Sequence, residues 1–114
     1  MAVTGVHAII YSPEADALRA LLGDAFGWEH IDAGGGWLIF ALPPAEVGVH
    51  PGEEPRQELS LMCDDLPATM DELRTKGVAF PGQPTTQPWG VSVTMVLPGG
   101  VEMMLYQPRH ASPH

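Results

Sequence analysis

Glu102 stands inside VEMML, flanked by Val101, Met103, Met104 and Leu105. A carboxylate within an apolar strand is costly to bury unless it is paired, hydrogen-bonded or bound to a metal. That makes Glu102 the first candidate for chemistry. His7 raises the same question in VHAIIYS: by alternation it shares a strand face with Ile9 and Tyr11. An imidazole there is either a hydrogen-bonded core group or a ligand. Glu58 follows Arg56 and Gln57 and reads as either a solvated strand start or a site residue. Met62, Met104 and Tyr106 fall on the strand faces of Glu58 and Glu102, and flexible thioethers suit a wall against a bulky apolar ligand. Trp37, Phe40 and Trp89 either fill a core or line a cavity, and Trp89, in the turn-like QPWG, suits stacking on a flat ligand.

Other chemistries lack their residues. No Ser-His-Asp order, phosphate-cradling glycine loop or helical HExxH occurs. Gly34, Gly35 and Gly36 lie between two strand-like runs and read as a hairpin. Asp64 and Asp65 open a helix, where capping explains them. Cys63, the one cysteine, excludes an internal disulfide and reads as an inert thiol within LSLMC. His50 precedes Pro51 beside a connector and reads as a surface residue. His110 and His114 belong to the polar RHASPH and carry no assigned role.

The elements that would position these groups repeat. VHAIIYS is a strand, and SPEADALRALLGDAFG a helix with Ser12 as cap, Pro13 at its first position and Gly27 as its stop. WEHIDA and WLIFALP are strands around the GGG turn, and AEVGVHP is a fourth. QELSLMC, DDLPATMDELRTKG, VAFPGQP, WGVSVTMVLP and GGVEMMLYQP repeat that order. The chain therefore reads as βαβββ twice. Strand-to-helix distance sets His7 opposite Glu58, while matching DALR to DELR shifts the register by about one helical turn. Alternation sets Glu46 opposite Glu102, the other choice being Val47. The expected organisation is one α+β domain over 1–110: module one 3–51, connector 52–56, module two 57–108, with a mobile tail at 109–114.

The 114 residues carry 14 acids and 5 bases, a net charge of −9. That speaks against nucleic acid and against anionic membranes, and favours cationic partners. Residues 1–16 have no basic leader and no run approaches membrane-spanning length, so a soluble, cytoplasmic protein is expected.

Paired βαβββ modules with polar residues on the first and last strand of each resemble the vicinal oxygen chelate superfamily, the glyoxalase, bleomycin-resistance and extradiol-dioxygenase group. The residues carrying the resemblance are GVHAIIYSPEADALRALLGDAFGW, ELSLMCDDLPATMDELRTKGV and LPGGVEMMLY. It implies two cupped, mixed half-barrel sheets with helices outside, enclosing a small-molecule cavity, and a homodimer. It also implies a metal site at His7, Glu46, Glu58 and Glu102 for one divalent ion (Mn, Fe, Ni, Co, Zn or Mg). Glu58 stands where such proteins usually carry histidine, and the oxygen-rich set leans toward Mn or Mg.

Two functions follow from the resemblance. One is a metal-dependent lyase, isomerase or dioxygenase acting on vicinal oxygens, with Glu102 as ligand or base. The other is metal-free binding and sequestration of an antibiotic, with acidic residues attracting a cationic ligand and Trp37, Phe40, Met62, Trp89, Met104 and Tyr106 lining the cavity. Three carboxylates converging without a cation would raise one another's pKa.

Overall fold

The computed structural model describes residues 6–113. The expected start of module one at residues 3–5 and His114 lie outside the described residues. The second module is built around a hairpin, β5 (Gly90–Leu97) and β6 (Val101–Pro108). Val93, Met95, Leu97, Met103 and Leu105 are buried on one face, with Met95 opposite Met103. Glu102, Met104 and Tyr106 take the other face, as period-two alternation requires. β3 (Ser60–Met62) joins β6 in parallel, and β4 (Thr85–Gln87) joins β5 antiparallel, giving the order β3-β6-β5-β4.

Two helices cover the apolar face. α2 (Leu66–Thr75) starts at Asp65, whose carboxylate accepts from the Ala68 amide at 3.1 Å, and it buries Leu66, Met70 and Leu73. The Leu66 amide donates to the Gln107 side chain at 2.9 Å, tying the helix start to β6. α1 (Ala15–Asp24) buries Leu18, and Ala25 just beyond it joins the same core. Ser12 does not cap α1; its hydroxyl donates to the Pro98 carbonyl at 2.8 Å and accepts from the Glu14 amide at 3.0 Å. The Gly99 amide donates to Glu14 at 2.7 Å. The corner before α1 is thus fastened to the β5–β6 turn, far away in sequence.

The first module is more open. β1 (His30–Asp32) and β2 (Leu38–Phe40) form a two-stranded ribbon. Asp32 holds its turn by accepting from the Gly34 and Gly36 amides at 2.8 and 3.3 Å. The segments expected as its first and fourth strands, 6–12 and 45–51, join neither sheet among the described residues. Val6, Tyr11, Val47 and Val49 project into solvent. β-branched, alternating sequence marks a chain suited to a sheet but names no partner. In the second module, VAFPGQP contributes only one bridge, Ala79 to Val96, and the third strand is Thr85–Gln87 instead. Pro81 and Pro84 remove ladder donors, and the two threonines after them resume it. The whole is mixed α+β with open sheets and the helices on one side. No helix among the described residues is long and apolar enough to cross a membrane.

Candidate ligand-binding site

A cavity of about 880 Å³ has Met62, Met104 and Tyr106 of the second-module sheet as its floor, and α2 borders it through Thr69, Glu72 and Leu73. β6 supplies Met104 and Tyr106, β3 supplies Met62, and the turn before β5 supplies Trp89. The Trp89 ring stands edge-on to Tyr106, centroids 5.4 Å apart. Gly90 allows this placement: with φ +155, a Cβ there would lie 2.4 Å from the Gln107 carbonyl oxygen. Only glycine lets this turn close so tightly on β6. The 43–50 segment faces the floor and brings Glu46 and His50.

The polar groups of this cavity are ordered by their hydrogen bonds. His110 Nδ1 lies 2.8 Å from the Ala111 carbonyl, which only accepts, so Nδ1 carries the proton. Nε2 is then bare and accepts the Tyr106 hydroxyl at 3.1 Å. Burial, and secondarily the Glu46 carboxylate, push the Tyr106 phenol above its ordinary pKa. The phenol stays neutral, donates to His110 and presents its oxygen lone pairs. Glu46 is half-buried and accepts from the Ser112 hydroxyl at 3.2 Å. Glu58 pairs with Arg56. Glu46, Glu58 and Glu72 line the cavity with no Lys or Arg among its described lining residues, while Glu72 pairs with Lys76 at 3.3 Å from outside it.

A second cavity, of about 740 Å³, lies between α1, the ribbon and the 6–12 segment, against the helix side of the sheet. It takes His7, Trp37 and Phe40. The Arg19 guanidinium sits 5.7 Å over Trp37, and the Phe40 ring packs 5.0 Å from His30.

The sequence-derived residues thus separate. Glu46, Glu58, Met62, Trp89, Met104 and Tyr106 meet in the first cavity; His7, Trp37 and Phe40 line the second. Glu102 is exposed opposite Val96 and lines neither. No three His, Cys, Asp or Glu side chains among the described residues converge as a metal-holding group. The donor set named by the resemblance therefore does not fit a metal within one chain. His50 and His110 line the aromatic cavity without having been singled out. His110 sits four residues beyond Tyr106 in a polar tail, and no periodicity marks it. Cys63 donates weakly to the Tyr106 carbonyl at 3.7 Å, and burial pushes its thiol up, as suits an inert group.

The architecture has known counterparts. TnmS3, an antibiotic-binding protein from Streptomyces sp. CB03234, matches with a TM-score of 0.67 and 26% identity, over 95% of this chain and 98% of that one. A glyoxalase/bleomycin resistance protein/dioxygenase superfamily member from Sphaerobacter thermophilus DSM 20745 matches with a TM-score of 0.62 and 24% identity, over 92% and 98%. Lactoylglutathione lyase from Agrobacterium tumefaciens matches with a TM-score of 0.57 and 19% identity, over 91% and 96%. No family model and no curated protein matches the chain. The fold is that of the glyoxalase/bleomycin resistance protein/dioxygenase superfamily, the vicinal oxygen chelate group.

Proposed function

We propose that this chain binds a planar, positively charged small molecule without a metal, in the manner of a sequestering protein. The observation that carries the reading is the Trp89–Tyr106 pair beside Met62 and Met104, rimmed by glutamates with no Lys or Arg among the lining residues. Aromatic edges and thioethers contact a flat ring system, and carboxylates favour a cation over it. The antibiotic-binding neighbour supports this choice. The metal-dependent lyase, isomerase or dioxygenase needs donors that do not converge among the described residues.

A homodimer belongs to the same proposal. Segments 6–12 and 46–50 are extended, rich in exposed apolar side chains and outside both sheets. A second copy would cover them and close the open side of the cavity.

Titration with 9-aminoacridine, a planar cation, tests the reading by Trp fluorescence. Binding that survives EDTA and is lost in Trp89→Ala is the expected result. Retention of one equivalent of Mn, Fe, Co, Ni or Zn after desalting, with binding abolished by EDTA, would replace it with the metal-dependent reading.

A further inference from the structure

We propose that residues 109–113 form a clasp across the aromatic cavity, with His110 as a positioning residue that orients the Tyr106 hydroxyl. The identity of the ligand class rests on the reading above; the clasp itself rests on geometry. Pro108 ends β6, and the next amide, of Arg109, donates to the Trp89 carbonyl at 2.8 Å. That bond extends the β5–β6 pairing by one residue and sets His110 beside the cavity floor. The His110 ring then lies against Tyr106, centroids 5.9 Å apart, and accepts the phenol hydrogen bond on Nε2. Two residues on, Ser112 reaches Glu46 on the facing segment. Within four residues the chain touches the turn before β5, β6 itself and the opposite wall.

The polarity of these contacts selects the ligand. Nδ1–H of His110 is used by Ala111, and Nε2, the one acceptor of the ring, is already taken by the Tyr106 hydroxyl. Tyr106 donates to that acceptor and offers oxygen lone pairs, and Glu46 is an acceptor held by Ser112. Tyr106 and Glu46 therefore receive hydrogen bonds from a ligand, and a ligand rich in N–H donors satisfies them while an anion does not. Ser112 acts by positioning Glu46, and His110 by orienting Tyr106.

The test uses the chain with Trp28→Phe and Trp37→Phe, so that Trp89 alone reports. Without ligand, acrylamide quenching of Trp89, 38% exposed in the full chain, should rise by up to about two-fold when the chain ends at Pro108, the most that an already exposed ring can gain. His110→Ala should do the same. His110→Gln, whose amide oxygen can accept the Tyr106 hydroxyl, should stay near the full chain. Quenching unchanged in both the shortened chain and His110→Ala overturns the clasp. With 9-aminoacridine, Ser112→Ala should weaken binding about three-fold, the size of one net hydrogen bond, and leave neutral acridone unaffected. Equal weakening of both probes removes Ser112 as the group that positions Glu46. If the full chain binds neither probe, the proposed ligand class falls, and the quenching comparison still decides the clasp.

Discussion

Gly90 and Gly99 show how single backbone positions hold the site. A Cβ at Gly90 would meet backbone, the Gln107 carbonyl of β6; one at Gly99 would meet only side-chain atoms, the Ser12 hydroxyl with Pro13 Cδ and Ser12 Cβ behind it. Both residues have positive φ. Gly90→Ala should therefore cost about 3 kcal/mol and Gly99→Ala about half of that, measured by urea unfolding. Equal costs would mean that the Ser12 contact is as rigid as the ladder. Tyr106 supplies a pH prediction. Its raised pKa means that the folded chain holds the phenol proton where the unfolded chain has released it. Stability from this group is present below about pH 10 and is lost as pH rises through the folded value. The 295 nm titration should lose its highest component in Tyr106→Phe. In Glu46→Gln that component should move down yet stay above the ordinary phenol, since burial is the larger cause. Glu102 marks the limit of reading such residues from sequence. Alternation placed it correctly with Met104 and Tyr106, but the cost of burying a carboxylate applies only where the face is covered, and at Glu102 it is exposed.

At the scale of elements, one hairpin serves two purposes on its two faces. Met95 on β5 is fully buried under the helices, whereas Met104 on β6 is half-exposed in the cavity. Met95→Ala should cost about 2–5 kcal/mol by unfolding and leave probe affinity in the surviving folded protein intact. Met104→Ala should cost about 1 kcal/mol or less and weaken 9-aminoacridine, because the wall it removes faces the ligand. The reverse pattern would place the ligand on the helix side, in the second cavity. The two helices and the long hairpin were legible because each carries a strong period and a stop: Asp65 and Gly77 around α2, Pro98 and Pro108 around the strands. β4 was not legible, since a three-residue strand between prolines has no period to read. The ends of module one read as strands and lie outside both sheets, because pairing is a property of neighbours rather than of the segment. His110 was invisible for the same reason: its place depends on Trp89, Tyr106 and the facing segment.

The whole molecule is too open for its size. Its accessible surface is 8351 Å², whereas a compact monomer of this mass exposes about 6,100 Å². Its radius of gyration is 15.1 Å, against about 13 Å for a compact chain of this length. The excess surface, about 2,300 Å² per chain, is of the order that a stable homodimer buries. Its apolar part lies where module one is unpaired: Tyr11, Val47 and Val49 are 85, 89 and 96% exposed. In the homodimer proposed above, a second copy would supply complementary strand edges by symmetry. Two chains of charge −9 repel at long range, so that contact would be apolar at its centre and should tighten as salt screens the repulsion. Sedimentation equilibrium should therefore show a dimer whose dissociation constant falls with added salt. Val47→Asp with Val49→Asp should give a folded monomer, since neither side chain belongs to the buried core, and should weaken 9-aminoacridine by leaving the cavity open on its outer side. A wild-type chain that sediments as a monomer at every concentration and salt level would remove the dimer from the proposal. A monomeric double variant with unchanged affinity would instead show that one chain completes the site alone.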